Sequence, residues 1–401
     1  MRRSFLLPVA AVAGAVGSAF AGDWPCWRGP TRDRISSETG LNWKPGANRL
    51  PVLWRASVGK GFSSVAVAGG RAVTMGNEQD VDTVWCFDAA TGAALWKYSY
   101  ACELQPLSYE GGPGSTPAIA EGRVYTFSKS GDLLSFDLAD GRVVWRKKFE
   151  LWPWRKGDWK NTWRYAGSPL VQDGRLYLSL GEAGAAFDAA DGTALWQSEA
   201  GHPGYSSPVP FRAGDVPALA FFAGHGVVGA AAADGRRLWE IPWRTEWDFN
   251  AADPIIRGGR VFVSSGNNTG CALYDLAENP PREVWRNKNL KTPMCGAVLW
   301  QGYLYGFNDS DLSCVEWETG ALKWALRDVR RGTLLIAEGN LIALSENGAL
   351  AVAPATPEGF RPFLRTQTLT GRCWTAPALA HGRLYVRNAQ GDLACYGLRS
   401  D

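Results

Sequence analysis

The run Ser115-Thr116-Pro117-Ala118-Ile119-Ala120-Glu121-Gly122-Arg123-Val124-Tyr125-Thr126-Phe127 continues through Ser130-Gly131-Asp132-Leu133-Leu134-Ser135-Phe136-Asp137 to Ala139-Asp140-Gly141-Arg142-Val143-Val144-Trp145. It holds four short β-prone runs separated by three turn signals. Such a pattern reads as a four-stranded antiparallel meander, with strands A to D in order. The phrase recurs along the chain, and self-similarity at this period marks a repeat architecture rather than a string of domains.

The A–B turn returns as Gly70-Arg71, Gly122-Arg123, Gly174-Arg175, Gly259-Arg260, Gly302-Tyr303, Gly339-Asn340 and Gly382-Arg383. The C–D turn returns as Thr91-Gly92, Asp140-Gly141, Asp191-Gly192, Asp234-Gly235 and Thr319-Gly320. A Trp closes strand D at Trp54, Trp96, Trp145, Trp196, Trp239, Trp285 and Trp324. The fourth unit, from Pro208 to Trp239, diverges in its first half, and the seventh, from Glu338, carries Phe363 where Trp is expected. The last unit has strands A to C (Pro377-Ala378-Leu379-Ala380, Leu384-Tyr385-Val386, Leu393-Ala394-Cys395-Tyr396) and no strand D. The first Trp, in Leu53-Trp54-Arg55-Ala56-Ser57-Val58, precedes any strand A. One surplus strand in front and one missing behind is what a ring requires. The expected fold is an all-β, eight-bladed β-propeller of four-stranded antiparallel blades, its ring closed by an N-terminal strand that completes the last blade and removes the open sheet edges. The repeated Trp is expected to fill the wedge between blades.

Composition narrows the function. Among 401 residues, 42 Lys and Arg face 39 Asp and Glu, a net charge of +3 that points to no nucleic-acid partner. Only 3 His are present, which disfavours imidazole or zinc chemistry. Arg2 and Arg3, an apolar Phe5 to Phe20 stretch and Ala19-Phe20-Ala21 read as a leader cleaved before Gly22. Arg2-Arg3-Ser4-Phe5-Leu6 also resembles a twin-arginine signal, so the Sec and twin-arginine routes both stay open. The organisation is then 1–21 signal peptide, 22–49 N-terminal extension and 50–398 propeller, exported to the periplasm or the extracellular space, with no transmembrane segment in the mature chain and the monomer as the expected state. The 8 Cys are scattered, with no adjacent pair, and are expected as buried thiols in strands.

The unit Gly-Arg-Val-Tyr … Gly-x-Leu … Phe-Asp … Asp-Gly … Trp resembles the PQQ-like β-propeller repeat of quinoprotein alcohol dehydrogenases and of BamB-like propellers. Asp23-Trp24-Pro25-Cys26-Trp27-Arg28-Gly29-Pro30 is similar to the start of secreted BamB-like propellers. The dehydrogenase resemblance implies PQQ with Ca²⁺ beside a vicinal disulfide. This chain has no Cys-Cys dipeptide and no CxxCH. The BamB resemblance implies a lipidated Cys at the mature N-terminus, which is also lacking here.

Tight Gly turns occupy the A–B and C–D side of such a disk, whereas the D–A loops are long and rich in aromatic and cationic residues. Long loops on a rigid scaffold are where binding concentrates. The loop after Trp145 carries Trp152, Trp154, Arg155, Trp159, Trp163, Arg164 and Tyr165. The loop after Trp239 carries Trp243, Arg244, Glu246, Trp247 and Asn250. The binding set expected at the channel mouth is Arg155, Trp163, Arg164, Tyr165, Tyr205, Glu246, Trp247, Asn250, Lys291, Arg372 and Trp374; no catalytic or metal-ligating residue is assigned. Aromatics with Arg and Asn suit a protein, peptide or glycan. The expected function is a non-enzymatic exported scaffold in cell-envelope assembly that needs no cofactor. The competing reading is a PQQ-dependent dehydrogenase.

Overall fold

The computed structural model describes residues 22–43, 46, 49–106, 109–151, 163–246, 248–327 and 329–399. Eight antiparallel sheets stand around one axis. Blade 1 comprises Ala66–Ala68, Arg71–Glu78, Val81–Asp88 and Ala94–Ala101 as strands A to D. Blade 2 comprises Ala118–Ala120, Arg123–Phe127, Asp132–Asp137 and Val143–Lys148. Blades 3 to 7 repeat this order over 170–197, 209–242, 255–287, 298–326 and 332–367. Blade 8 takes Ala378–Ala380, Arg383–Arg387 and Asp392–Gly397 from the end of the chain. Its strand D is Val52–Ser57, paired as Trp54↔Cys395 and Ala56↔Leu393. The ring closes as the sequence predicts. Arg387 ties the seam from inside: its buried guanidinium donates to Gly59 O at 3.0 Å, Ser63 O at 3.0 Å and Met75 O at 2.6 Å, all leading into or within blade 1.

The repeat residues have specific work. At Gly122 the chain turns from A to B with φ +73°, a left-handed conformation that favours glycine, and a Cβ there would meet open space. Gly141 is required for a second reason: a Cβ would lie 2.5 Å from the Trp96 ring of the preceding blade. Each repeat Trp reaches forward onto the next blade's C–D turn. Trp54, Trp96, Trp145 and Trp196 donate their Nε1–H to the carbonyls of Ala89, Leu138, Ala189 and Ala232 at 3.0–3.2 Å. Trp285 and Trp324 do the same to Trp317 and Thr356, both at 2.9 Å. The ring thus buries its face on a turn while its one polar group stays satisfied. Trp239 departs from the rule. The C–D turn it faces, in blade 5, runs Leu276-Ala277-Glu278-Asn279-Pro280-Pro281 without glycine, and Trp239 Nε1 meets no acceptor among the described residues. Its ring lies instead over Gly229 of its own blade. In blade 7 the register corrects the expectation by one residue: buried Leu364, paired with Val352, takes the Trp position, and Phe363 beside it packs partly buried against the cluster shared by blades 7, 8 and 1.

The segment 22–43, expected only as an extension, has a structural role. It enters the axial channel from the A–B face. Trp24 bridges Val67 of blade 1, Pro25 O accepts from Ile119 N–H of blade 2 at 2.7 Å, and Arg32 donates to Val171 O of blade 3 at 3.0 Å. Ile35–Ser36 then adds as a parallel strand beside blade 7, Ile35↔Ile336. The segment therefore plugs the channel before the chain emerges to form strand D of blade 8.

All 8 Cys are unpaired, and only Cys295 is not fully buried. Burial in the sheets raises the thiols of Cys86, Cys102, Cys271, Cys314, Cys373 and Cys395 from an ordinary 9.0 to about 12. A thiol-specific reagent at neutral pH should find almost no reactive group in the native protein and all 8 after denaturation. The same shifts fix a pH dependence. Above pH 9 the unfolded chain loses protons that these native thiols keep up to about 12, so stability falls as pH rises through that window, by about 1.4 kcal/mol per thiol per pH unit. Denaturant melts across that range would contradict this if they showed unchanged or rising stability.

Candidate functional site

The D–A loops meet over the mouth of the channel and enclose a cup of about 150 Å³. Aromatic side chains form most of its wall. Phe62, from the loop between blades 8 and 1, stacks on Trp374 at 5.8 Å and meets Tyr109 edge-on at 5.4 Å. Tyr109 stacks on Trp163 at 5.5 Å, and Trp163 meets Phe249 at 4.6 Å and Tyr205 at 5.6 Å. Six loops thus supply a nearly continuous aromatic lining.

The floor is Trp27, carried up the channel by the N-terminal segment. Its Nε1 donates to Asp253 Oδ2 at 2.6 Å. The Arg34 guanidinium stacks on its ring at 4.9 Å. Arg28 pairs with the same carboxylate at 3.6 Å, both side chains about 5% exposed. Asp253 also ends a belt of hydrogen bonds that rings the channel below the cup. In that belt Ser64 N–H donates to Thr116 Oγ1, Thr116 N–H to Ser168 Oγ, Ser168 N–H to Ser207 Oγ and Ser207 N–H to Asp253 Oδ1, all at 2.7–3.0 Å. Each link joins one blade to the next, and Asp253 couples the belt to the plug. Lys129 reaches the cup wall from the B–C loop of blade 2, and its ammonium bonds to Leu104 O. Burial lowers its pKa from the usual lysine value.

Of the expected binding residues, Trp163, Tyr205 and Trp374 line this cup. Arg164 and Arg372 stand at its edge. Arg164 pairs with Glu103 at 3.6 Å, and Arg372 lies 4.5 Å over Trp374 while pairing with Glu110 at 2.6 Å. The structure corrects two assignments. Tyr165 turns inward, its ring 4.8 Å from Phe127 and its hydroxyl on Glu150 O, in the core between blades 2 and 3. Asn250 is fully buried and braces its own loop through Ala223 O and Ser265 Oγ. Trp243, from the same loop, is also core, with Nε1 on Ser265 Oγ at 3.0 Å. Glu246 is exposed on a turn, and Lys291 pairs with Asp309 at 3.7 Å; neither lines the cup. Arg155, Trp247, Trp152, Trp154 and Trp159 lie outside the described residues. Sequence reasoning missed Trp27, Phe62, Tyr109, Lys129, Phe249 and Asp253. Only Asp253 carried a signal: it stands before Pro254 where the matching positions before Pro117, Pro169 and Pro208 are Thr or Ser.

A closed eight-bladed propeller with a plugged channel and an aromatic cup on its loop face defines the class of protein. The chain belongs to the PQQ-like repeat family whose model is described as "Outer membrane protein assembly factor BamB", matched over residues 51–148 and 81–326. One relative, the outer membrane protein assembly factor BamB of Xanthomonas campestris pv. campestris, is 27% identical over 350 residues, covering 70% of this chain and 81% of its own. Among solved structures, BamB from Moraxella catarrhalis superposes with a TM-score of 0.66 at 14% identity, covering 87% of this chain and 100% of that one. A europium-containing methanol dehydrogenase superposes with 0.71 at 12% identity, covering 94% and 98%. At those identities the likeness is one of fold.

Proposed function

We propose that this chain is a non-enzymatic exported scaffold that holds an envelope protein, peptide or glycan in its aromatic cup during cell-envelope assembly. The observation that carries the reading is the cup itself: aromatic side chains from six loops around an opening whose floor is sealed by Trp27. Flat apolar walls with Lys129, Arg164 and Arg372 near the rim suit a ligand that offers both apolar surface and polar groups. The family's BamB members, named for outer membrane protein assembly, support the envelope role.

PQQ with Ca²⁺ fits this site poorly. Trp27 takes up the axial position, and among the described residues no three His, Cys, Asp or Glu side chains converge to hold a metal. Asp253, the one carboxylate among the described lining residues, already serves Trp27, Arg28 and Ser207.

The test is retention of solubilised envelope proteins of the source cell on the immobilised chain. The parent should retain β-barrel assembly proteins. Trp163→Ala and Trp374→Ala should each lose about tenfold or more in affinity, as removal of a buried aromatic anchor does, with little change in melting temperature. Trp145→Ala serves as the structural control and should lower stability by about 3–5 kcal/mol through the cavity it leaves. Retention indifferent to both cup variants would refute the reading. A quinone absorption band with alcohol oxidation after addition of PQQ and Ca²⁺ would replace it with a dehydrogenase.

A further inference from the structure

A second cavity, of about 450 Å³, lies away from the cup in the wedge between blades 6 and 7. Its origin can be read from the repeat. In every blade one residue after strand C donates its N–H back to the A–B turn or the start of strand B, as Ala89 does to Gly70, Leu138 to Gly122 and Ala232 to Pro217. In blade 7 that residue is Ala355, bonded to Gly339 O. Four residues earlier on strand C lies the position that faces the preceding blade. It is Trp85 in blade 1, Leu134 in blade 2 and Val228 in blade 4. At the alanines of blades 3 and 5, side chains from the preceding blade and its loop fill the space: Phe149 and Leu151 lie in the cluster with Ala185, and Ile241 and Trp243 in the cluster with Ala272. In blade 7 it is Ala351, flanked in the lining by Ala343 and Ala349. From the blade 6 side, Phe307, Leu312 and the partly buried Val329 line the gap without closing it. The wedge is left short of one large side chain.

The charges around the gap are of one sign. Across the sheet, Ala343 pairs with Ala351 and Ala351 with Arg365, so the arginine shares the face of the alanines and stands at the outer lip. Arg365 is exposed and makes no hydrogen bond or ion pair with any described residue. Arg330 stands on the other lip, its side chain 68% exposed, with its nearest carboxylate oxygen, on Glu346, 4.0 Å away. No carboxylate occurs among the described lining residues. A volume of this size falls within the roughly 300–1,000 Å³ of pockets that hold organic ligands.

We propose that this slot binds an acidic peptide segment, which inserts one aromatic or leucine side chain between blades 6 and 7 and sets its carboxylates on Arg330 and Arg365. The inserted side chain supplies the bulk that the wedge lacks, as Trp85 and Leu134 supply it elsewhere in the ring. Carboxylate–guanidinium pairing at the lips adds direction to an otherwise apolar contact. This site is separate from the cup and does not depend on the function proposed for it.

A library of displayed random peptides selected on the intact chain tests the assignment. Enriched peptides should carry one Phe, Trp, Tyr or Leu flanked by Asp or Glu. Their binding should fall by about tenfold or more with Arg365→Glu, a surface change that leaves melting unaffected, and with Ala351→Phe, which fills the slot from within. Should Ala351→Phe fail to fold, Arg365→Glu alone decides. Peptides without acidic residues, binding unchanged by Arg365→Glu, loss instead with Trp163→Ala in the cup, or no enrichment at all would each overturn the proposal.

Discussion

Deletion of residues 50–58 is expected to abolish the cooperative native state and drive the protein into aggregates. The deleted stretch contains the whole of strand D of blade 8, Val52–Ser57, which covers the Asp392–Gly397 edge. Without it that strand offers its free N–H and C=O groups to other molecules, the usual route to edge-to-edge association. Trp54 is lost as well. Its ring lies over Gly92 and its Nε1–H is bonded to Ala89 O, so the wedge between blades 8 and 1 opens at the same time. Loss of one large buried aromatic is worth about 3–5 kcal/mol, a large part of a total stability of roughly 5–15 kcal/mol. Size-exclusion chromatography and thermal melting provide the readout. A monomeric truncated chain that melts like the parent would refute closure by this strand.

The second large effect is expected from Asp253→Ala, which should lower stability by about 3–5 kcal/mol, the range for breaking a buried ion pair from one side. Arg28 would keep its charge inside the channel with no carboxylate beside it. Trp27 Nε1 and Ser207 N–H would lose their acceptor in the same step. Asp253→Asn keeps an oxygen for Ser207 and should cost less. Because Trp27 forms the floor of the cup, both variants should also alter the fluorescence of that region well before unfolding begins. Urea denaturation gives the comparison. A loss below about 1 kcal/mol, the level of exposed pairs, would show that the plug is not held through Asp253.

The ring was legible in the sequence because its signals are local and repeated. The Gly-Arg turns, the Asp-Gly and Thr-Gly turns and the spaced Trp each report one blade, and the mismatch at the two ends reports closure. What each Trp touches was not legible, since Trp96 and Gly141 belong to different blades and meet only after both have folded. The cup was harder still. Phe62, Tyr109 and Phe249 arrive singly from separate loops, and Trp27 lies 226 residues from the carboxylate that holds it. Loop aromatics also mislead: Trp243 and Tyr165 look available on a long loop, yet the loop folds back over the wedge between blades and buries them. A residue's place in a loop says which face of the disk it is near, and the packing beneath decides whether it points outward.

The route of the N-terminal segment sets the polarity of the molecule. Gly22 O accepts from His381 N–H in the A–B turn of blade 8, and Asp23 bonds the His381 ring at 2.7 Å. The chain therefore begins its passage on the face opposite the cup. Whatever is joined ahead of Gly22, whether a fusion partner or a tether to a surface, holds the disk by its back and leaves the aromatic opening turned outward, free to meet a large partner without obstruction from its own attachment.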